Sequence, residues 1–321
     1  MAYSILTHQN KDFIIDHYHF PGVKRMAQYA VYVMMSPLYR MAARVWRKPQ
    51  STHRYKLSIV ACFKNEAPYM KEWIEYHLMM GFDHFYLYNN NSDDDYQDVL
   101  HPYVEAGVVT LTDWPQVPVQ LAAYEDFYAR FRHETQWVSF IDLDEFFCPL
   151  RDTNMIEWLD KRSNYPLHMV YWQMFGTSGH MTHDFSRPVT EQYTVAWPKL
   201  DSIGKLLYNT DYDIVKFSRG MMHSFEVKAG PFNLPPMNQF GRIVIYDIHI
   251  SDGKEREIQL NHYWSKSFSN YEAKHSKGSA AYGESWKTYD KFLQHEHFNT
   301  SANYGIFRFM VELKRRLGVN V

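Results

Sequence analysis

Residues 137–147 read Trp-Val-Ser-Phe-Ile-Asp-Leu-Asp-Glu-Phe-Phe, and this stretch decides the fold. The apolar run at residues 137–141 predicts a buried strand, and Asp142, Asp144 and Glu145 follow it closely. Acids at the tip of a buried strand are costly unless a cation or a hydrogen-bonding ligand compensates them. In an open α/β sheet, the carboxyl ends of the strands are where ligands bind. The stretch therefore predicts an α/β sheet with an acidic group at its ligand-binding edge.

The acids Asp142 and Asp144 allow two interpretations. Oxygen ligands suit Mg²⁺ or Mn²⁺, and these ions commonly bridge one or two carboxylates to a substrate diphosphate. The first interpretation is therefore an Asp-x-Asp site for a metal and a nucleotide. The second is a turn whose acids cap a helix or face solvent. The triplet alone does not decide between them, because Asp-x-Asp is a common pattern.

Strand and helix patterns alternate on both sides of this stretch. Strands are predicted at residues 57–63, 85–88, 108–111, 137–141, 170–175 and 259–264, and helices after Pro68, at 99–104 and at 121–132. The alternation predicts a mostly parallel sheet covered by helices on both faces, and residues 181–260 are expected to form the acceptor-side half and its loops. The first predicted strand is not followed by G-x-G-x-x-G or a Walker motif, which argues against a dinucleotide enzyme and a P-loop NTPase.

Composition excludes several classes of protein. The 321 residues are long enough for one large domain, and the formal net charge of -2 gives no nucleic-acid signature. Cys62 and Cys148 are the two cysteines, which excludes a disulfide scaffold and favours a reducing compartment. No secretory signal pattern opens the sequence, and no apolar run approaches the ~20 residues that span a bilayer. We expect a cytoplasmic protein.

Both ends of the chain carry basic, amphipathic patterns. Residues 21–50 contain no acid and hold six basic residues around an apolar run that Pro37 interrupts, and residues 306–317 repeat the theme. Such segments can lie on an anionic membrane surface, so a peripheral position on the inner face of a membrane is one interpretation. The other is two ordinary helices that pack on the body of the protein with solvated basic faces.

Five ordered blocks resemble glycosyltransferase family 92, a group of GT-A-fold enzymes. The blocks are residues 63–77, 85–92, 137–147, 175–180 and 261–267, and the resemblance covers about residues 56–280. The chain departs from the family at Glu125-Asp126-Phe127, where the family tends to have an Asn-Asp-Cys run, and residues 190–230 match only loosely. Donor chemistry is therefore better supported than the identity of the acceptor.

The resemblance implies a metal-dependent, inverting glycosyltransferase. It would move a hexose, with galactose favoured, from a nucleotide sugar such as a UDP-sugar to a glycan or lipid-linked acceptor, with Mn²⁺ or Mg²⁺ as cofactor. The implied fold is a GT-A-type sheet plus terminal amphipathic helices. The predicted units are a basic extension at 1–55, the enzyme domain at 56–285, divided into a nucleotide half at 56–150 and an acceptor half at 151–285, and a basic helix at 286–321.

The resemblance also suggests roles for individual residues. Asp144 and His262, with Asp142 directly or through water, would hold the metal. The nucleotide would contact residues at the exits of the first strands and near the metal: Cys62, Asn65, Glu66, Asn90, Ser92, Asp94, Gln120, Asp142 and Lys266. Lys274 is a second candidate for the diphosphate, and Glu145 would orient the loop from behind.

Direct displacement with inversion also needs a group that takes the proton of the acceptor hydroxyl. Candidates downstream of the acids are Asp184, Glu191, His183 and His180. Glu191 is favoured because it lies in a Thr-Glu-Gln-Tyr-Thr stretch that is similar to a family block, and Asp184 is the second choice.

Three rival functions remain open at this point. A nucleotidyltransferase would also use paired acids and a metal, but it predicts a Gly/Arg/Lys-rich phosphate loop where this chain has Phe63-Lys64-Asn65-Glu66. A non-catalytic glycan-binding protein on the same fold is expected to lose the metal acids, which are present here. A retaining glycosidase needs two carboxyls roughly 5 Å apart, a spacing that a sequence cannot reveal.

Overall fold

The protein was analysed as a computed structural model, which describes residues 22–116, 120–218, 223–244, 255–277 and 288–319. The first half contains α1 (Gly22–Val45), β1 (Tyr55–Phe63), α2 (Ala67–Met79), β2 (His84–Asn89), α3 (Tyr96–Glu105), β3 (Val109–Asp113), α4 (Gln120–Arg130), β4 (Thr135–Phe140), β5 (Glu145–Pro149) and α5 (Met155–Asp160).

The second half contains β6 (Leu167–Met174), α6 (Val189–Gln192), β7 (Val195–Ala196), β8 (Gly204–Asn209), β9 (Asp213–Ile214), β10 (Val227–Ala229), β11 (Phe232–Leu234), β12 (Met237–Asn238), β13 (Ile258–His262), α7 (Phe268–Lys277), α8 (Tyr289–His297), β14 (Ser301–Ala302) and α9 (Met310–Leu317). Single 3-10 turns cover Arg132–Glu134 and Gly305–Phe309.

The central sheet is mixed but mostly parallel. Its strand order is β3-β2-β1-β4-β8-β6-β13-β5, and β12 pairs with β6 beside this path. The strands β3, β2, β1 and β4 are parallel neighbours, and β13 is parallel to β6. Two strands run the other way, β8 between β4 and β6, and β5 at the edge beside β13. The predicted α/β fold, a mostly parallel sheet with helices on both faces, is confirmed.

Two hydrophobic cores cover the two faces of this sheet. Alternate side chains of β1 divide between them, since Ile59 lies in one core and Val60 in the other. The first core is closed by α2, α3, α5 and α9, and the second by α4 and the buried face of α1. Strands buried on both faces explain why the first half of the sequence reads as short continuous apolar runs.

Two features of the elements were not predicted from the sequence. The helix α1 continues through Pro37, whose nitrogen cannot donate a backbone hydrogen bond. Residues 181–260 contain, besides loops, the strand β8 in the middle of the sheet. Gly204 at the start of β8 permits this insertion, since a Cβ there would lie 2.0 Å from the carbonyl oxygen of Val170.

The two basic termini pack differently. The C-terminal segment is not one helix, since α8, β14 and α9 follow one another, and α9 packs against α2. Its basic residues are engaged, because Lys314 pairs with Glu191, and both Arg315 and Arg316 pair with Glu312. Within the described residues, no helix has the length and apolar character needed to cross a membrane. The predicted boundary at 285 and residues 1–21 of the 1–55 extension lie outside the residues that the structure describes, and the unit boundaries stay predictions.

Candidate active site

The acids predicted from the sequence lie where β4 leaves the sheet, and each has a different set of partners. Asp142 accepts a hydrogen bond from Gln120 Nε2 at 3.0 Å and lies 2.9 Å from the ammonium of Lys205. Lys205 is fully buried, so burial would lower its pKa, but Asp142 and Glu145 raise that pKa above its ordinary value. The Lys205 ammonium is thus charged at neutral pH and forms an ion pair with Asp142.

Glu145 lies behind this pair and is completely buried. Its carboxylate accepts the backbone N–H of Asp142 at 2.9 Å and Trp172 Nε1–H at 2.7 Å, and it lies 3.7 Å from Lys205 Nζ. Because one carboxylate holds the Asp142 backbone and the lysine that pairs with the Asp142 side chain, Glu145 positions the turn after β4. The predicted orienting role of Glu145 agrees with this geometry.

Asp144 faces the other side of the turn, where it meets His262 and Lys274 from the C-terminal third of the sequence. Lys274 of α7 forms an ion pair with Oδ2, and His262 Nε2, at the end of β13, lies 3.5 Å from Oδ1. Burial would raise the pKa of Asp144, but the Lys274 ammonium outweighs it and holds that pKa well below the usual range. The predicted proximity of Asp144 and His262 is therefore present in the fold.

His262 has the properties of a metal ligand. Burial lowers its pKa to about 4, so the imidazole is neutral at pH 7 and its lone pair is available. Its second ring nitrogen, Nδ1, is buried and has no hydrogen-bond partner among the described residues. A water or another small polar group could therefore bond to Nδ1 while Nε2 faces Asp144.

The donor set fits a divalent ion held by two protein groups rather than three. A separation of 3.5 Å between Asp144 Oδ1 and His262 Nε2 suits two ligands on neighbouring corners of one ion. Asp142, the predicted third ligand, is directed toward Lys205 and Gln120 instead. Among the described residues, no group of three His, Cys, Asp or Glu side chains is arranged to hold a metal.

Lys266 is the most constrained of the basic residues. It is fully buried, its φ of 49° is in the left-handed region, and its ammonium lies 3.7 Å from the centre of the Tyr69 ring. Glu66 Oε2 lies 3.3 Å away, and burial lowers the pKa of Lys266. Left-handed backbone is unfavourable for a lysine, and such strain is concentrated at functional sites.

The loops that leave β1 and β2, residues 64–66 and 90–95, bond mainly to each other; we call them the exit loops. Asn65 N–H donates to Ser92 Oγ at 3.0 Å, and Asn65 Oδ1 accepts the N–H of Asp93 at 2.9 Å. Asp94 accepts Ala67 N–H at 2.8 Å and so caps the start of α2. Asn90 Nδ2 donates to the carbonyls of Trp114 and Gln116.

Three predicted nucleotide ligands, Asn65, Ser92 and Asp94, thus hold the exit loops together, and Asn90 ties the second loop to the residues after β3. Cys62 near the end of β1 is half-buried, and burial raises the pKa of its thiol above its ordinary value. Glu66 is the member of this set that reaches the charged part of the site, through Lys266. Their contact with a nucleotide stays a prediction.

The two favoured bases occupy different surroundings. Glu191 of α6 accepts from Lys314 Nζ at 2.7 Å, and Arg187 Nε lies 3.5 Å from its other oxygen. Burial would raise the pKa of Glu191, but these cations lower it. Asp184 is exposed and accepts hydrogen bonds from the backbone N–H and the hydroxyl of Ser186, which lower its pKa.

The alternative base His183 stands closer to the charged part of the site. Its ring lies 5.3 Å from the ring of Tyr69, which lies under Lys266, and Nδ1 is 2.9 Å from the hydroxyl of Tyr193. His180 lies nearby, since its carbonyl accepts the N–H of Phe268 at the start of α7. The loop that carries Asp184 is therefore tied to the helix that supplies Lys274.

Sequence reasoning missed Lys205. It is the one basic residue of β8, an otherwise uncharged strand, and a lysine inside an apolar run was the available signal. We call the charged side chains brought together here the acid–lysine cluster: Asp142, Asp144, Glu145, Lys205, Lys266 and Lys274.

Comparisons with known proteins agree with the resemblance seen in the sequence. Residues 58–213 match the model of glycosyltransferase family 92. A glycosyltransferase family 92 protein of Ricinus communis is 26% identical over 260 residues, which is 76% of this chain and 41% of that protein. A galactan beta-1,4-galactosyltransferase of Arabidopsis thaliana is 29% identical over 114 residues, which is 32% of this chain and 23% of that enzyme. The chain thus spans less than half the length of these relatives.

Among solved structures, the match with residues 1–349 of S. aureus TarS covers 48% of this chain and 47% of the TarS chain. The TM-score is 0.33 and the sequence identity is 13%.

Proposed function

We propose that the protein transfers a hexose from a UDP-sugar to a glycan, with inversion at the anomeric carbon and with a divalent metal, because residues 58–213 match the model of glycosyltransferase family 92. The observation that carries this proposal is the acid–lysine cluster. It concentrates three lysines and three acids at the carboxyl end of β4, the edge where ligands of α/β sheets bind.

Asp144 and His262 are the groups that would hold the metal, Mn²⁺ or Mg²⁺. The bound ion would neutralise the donor diphosphate and stabilise the departing nucleotide as a Lewis acid. Asp142 keeps Lys205 and Gln120 as partners, so its role in the proposal is to contact the ribose or a water on the metal. Glu145 fixes the turn that carries both aspartates.

Lys274 and Lys266 are proposed to bind the diphosphate oxygens. Each is a buried point charge beside an acid, Lys274 on Asp144 and Lys266 on Glu66. When a metal occupies Asp144, the carboxylate no longer needs the Lys274 ammonium, which can then turn to the phosphate. Binding of the donor would thus replace the Lys274–Asp144 and Lys266–Glu66 ion pairs with contacts between the lysines and the diphosphate.

Asp184, rather than Glu191, is proposed as the base that accepts the proton of the acceptor hydroxyl. Glu191 is engaged by Lys314 of α9 and by Arg187, so an acceptor hydroxyl would have to displace two ion pairs to reach it. Asp184 is exposed beside His183, whose ring contacts Tyr69. If Asp184 is the base, Asp184→Asn abolishes transfer and Glu191→Gln retains it. If Glu191→Gln abolishes transfer and Asp184→Asn retains it, Glu191 is the base.

Galactose is the favoured sugar because one relative is named as a galactan galactosyltransferase. The acceptor is proposed to be a glycan or a lipid-linked glycan, and the enzyme to work in the cytoplasm at the inner face of a membrane.

The experiment is a measurement of UDP release from UDP-galactose, with UDP-glucose and GDP-mannose in parallel, in the presence of Mn²⁺ and β-1,4-galactan oligosaccharides. We expect release from UDP-galactose, and a loss of more than about a hundredfold in Asp144→Asn, because substitution of even an outer-shell partner of a metal ligand costs 10–100-fold. Asp98→Asn, an exposed acid on α3, is the matched control and should keep full activity. Equal activity of Asp144→Asn and wild type would refute the site.

A further inference from the structure

Helix α1 presents an exposed apolar stripe on the face that turns away from the protein. Its members recur at spacings of three and four residues, which places them on one side of a helix. They are Val31, Met34, Leu38, Met41 and Val45, with exposures from 44% to 68%, and Trp46 follows them at 47%. We call this set the α1 stripe.

The opposite face of the same helix is fixed to the body. Ala42 and Ala43 are buried in the second core, and the Ser36 hydroxyl accepts the N–H of Ile243 at 3.1 Å while donating to the Tyr32 carbonyl at 2.7 Å. The helix is therefore held in one orientation, and the α1 stripe is a fixed surface.

The charged residues of α1 itself are all positive. Arg40, Arg44 and Arg47 are exposed beside it, and the sequence holds no acid between Pro21 and Gln50. A second copy of this helix laid on the stripe would bring like charges together. A surface of anionic lipid instead offers hydrocarbon to the apolar side chains and negative headgroups to the arginines.

We propose that α1 lies in the plane of an anionic membrane, with the α1 stripe inserted at the headgroup boundary and the arginines on lipid headgroups. The C-terminal helix makes no such contact, because its lysine and arginines are paired with acids of the protein. Within the described part of α9, Val311 is its one exposed large apolar residue. This surface is separate from the acid–lysine cluster, so its test does not depend on transferase activity.

The test is vesicle flotation of the full chain with phosphatidylcholine alone and with phosphatidylcholine plus phosphatidylserine, at low and at high salt. Wild type should float with the anionic vesicles at low salt and stay at the bottom with the neutral ones. Arg40→Gln with Arg44→Gln should reduce the partition coefficient by about fivefold for each arginine. The triple variant Met34→Ser, Leu38→Ser, Met41→Ser should reduce it by more than about tenfold.

Val311→Ser is the matched control, because it removes an equally exposed apolar residue from the other basic helix, and it should float like wild type. Light scattering of each variant reports the oligomeric state. The proposal is overturned if wild type stays unbound with anionic vesicles at low salt, or if the triple variant floats as wild type does. A wild-type dimer that the triple variant abolishes would overturn it in favour of a second copy.

Discussion

The exit loops and the acid–lysine cluster meet at the Glu66–Lys266 pair, but they satisfy their polar groups in different ways. In the exit loops, Asn65, Ser92 and Asp94 bond to backbone N–H groups and to each other. In the cluster, Asp142 and Asp144 are compensated chiefly by lysine ammoniums from β8 and α7. The exit loops are thus held by hydrogen bonds to backbone groups, whereas the acid–lysine cluster is held by ion pairs between side chains.

The difference indicates which region can respond to a ligand. A side chain bonded to a backbone N–H has one favourable position, because the backbone donor is fixed in direction. A lysine ammonium has three rotatable donors on a flexible stem, so it can exchange a carboxylate for a phosphate at small geometric cost. We therefore expect the exit loops to act as a rigid support and the cluster to rearrange when a nucleotide binds.

The largest effect should come from removing Lys205. Lys205→Met removes the counter-charge of both Asp142 and Glu145. Because burial already raises the pKa of Glu145, the loss should lie at the lower end of the about 3–5 kcal/mol that breaking a buried ion pair from one side costs. Urea denaturation followed by circular dichroism measures this loss of unfolding free energy. The double variant Lys205→Met, Glu145→Gln should recover part of it. Full stability of the single variant would mean that the buried pair does not support the turn after β4.

Asp94→Ala should lower the free energy of unfolding by about 1–2 kcal/mol, because the variant removes the cap of α2. UDP affinity should change far less than in Asp144→Asn if the exit loops are a support. Asp95→Ala, an exposed neighbour, is the control for both measurements. A loss of UDP affinity without a loss of stability would show instead that Asp94 contacts the nucleotide directly, as the sequence suggested.

Lys274→Met tests the exchange of partners most sharply, because it should change two affinities in opposite directions. Without the ammonium, Asp144 is free, so Mn²⁺ should bind more tightly in the absence of nucleotide. UDP should bind about tenfold more weakly because the diphosphate loses one charge-assisted contact. Electron paramagnetic resonance of Mn²⁺ and calorimetry of UDP measure the two affinities. A parallel fall in both would mean that Lys274 only supports the site.

The sequence predicted the parallel half of the sheet to within one or two residues at most strand ends. Its strands are buried on both faces and joined by short turns, so local apolar runs carry the information. The acids after β4 and the His262 that meets Asp144 were also predicted, the second from a late family block. Local sequence patterns cannot predict the contact between residues 144 and 262, because it depends on how distant parts of the chain are folded together.

The parts that could not be predicted depend on long-range packing. The strand β8, with Gly204 and Lys205, inserts between β4 and β6, and its two neighbours lie more than thirty residues away in sequence. In the folded protein Lys205 is the counter-ion of Asp142 and Glu145, but in the sequence it is only a charged residue that breaks an apolar run. Likewise, the same basic amphipathic pattern at both ends became a packed helix at α9, whose basic residues pair with Glu191, Glu75 and Glu312, and an exposed stripe on α1.

Calorimetric titration with UDP, with and without Mn²⁺, tests most directly whether the acid–lysine cluster is a donor site. Wild type and Asp144→Asn should be compared, with GDP as the alternative nucleotide and circular dichroism to show that both proteins are folded. We expect Mn²⁺-dependent binding of UDP by wild type and none by Asp144→Asn. Metal-independent binding that survives in Asp144→Asn, or no binding by folded wild type, would contradict the assignment of the cluster as a metal–nucleotide site.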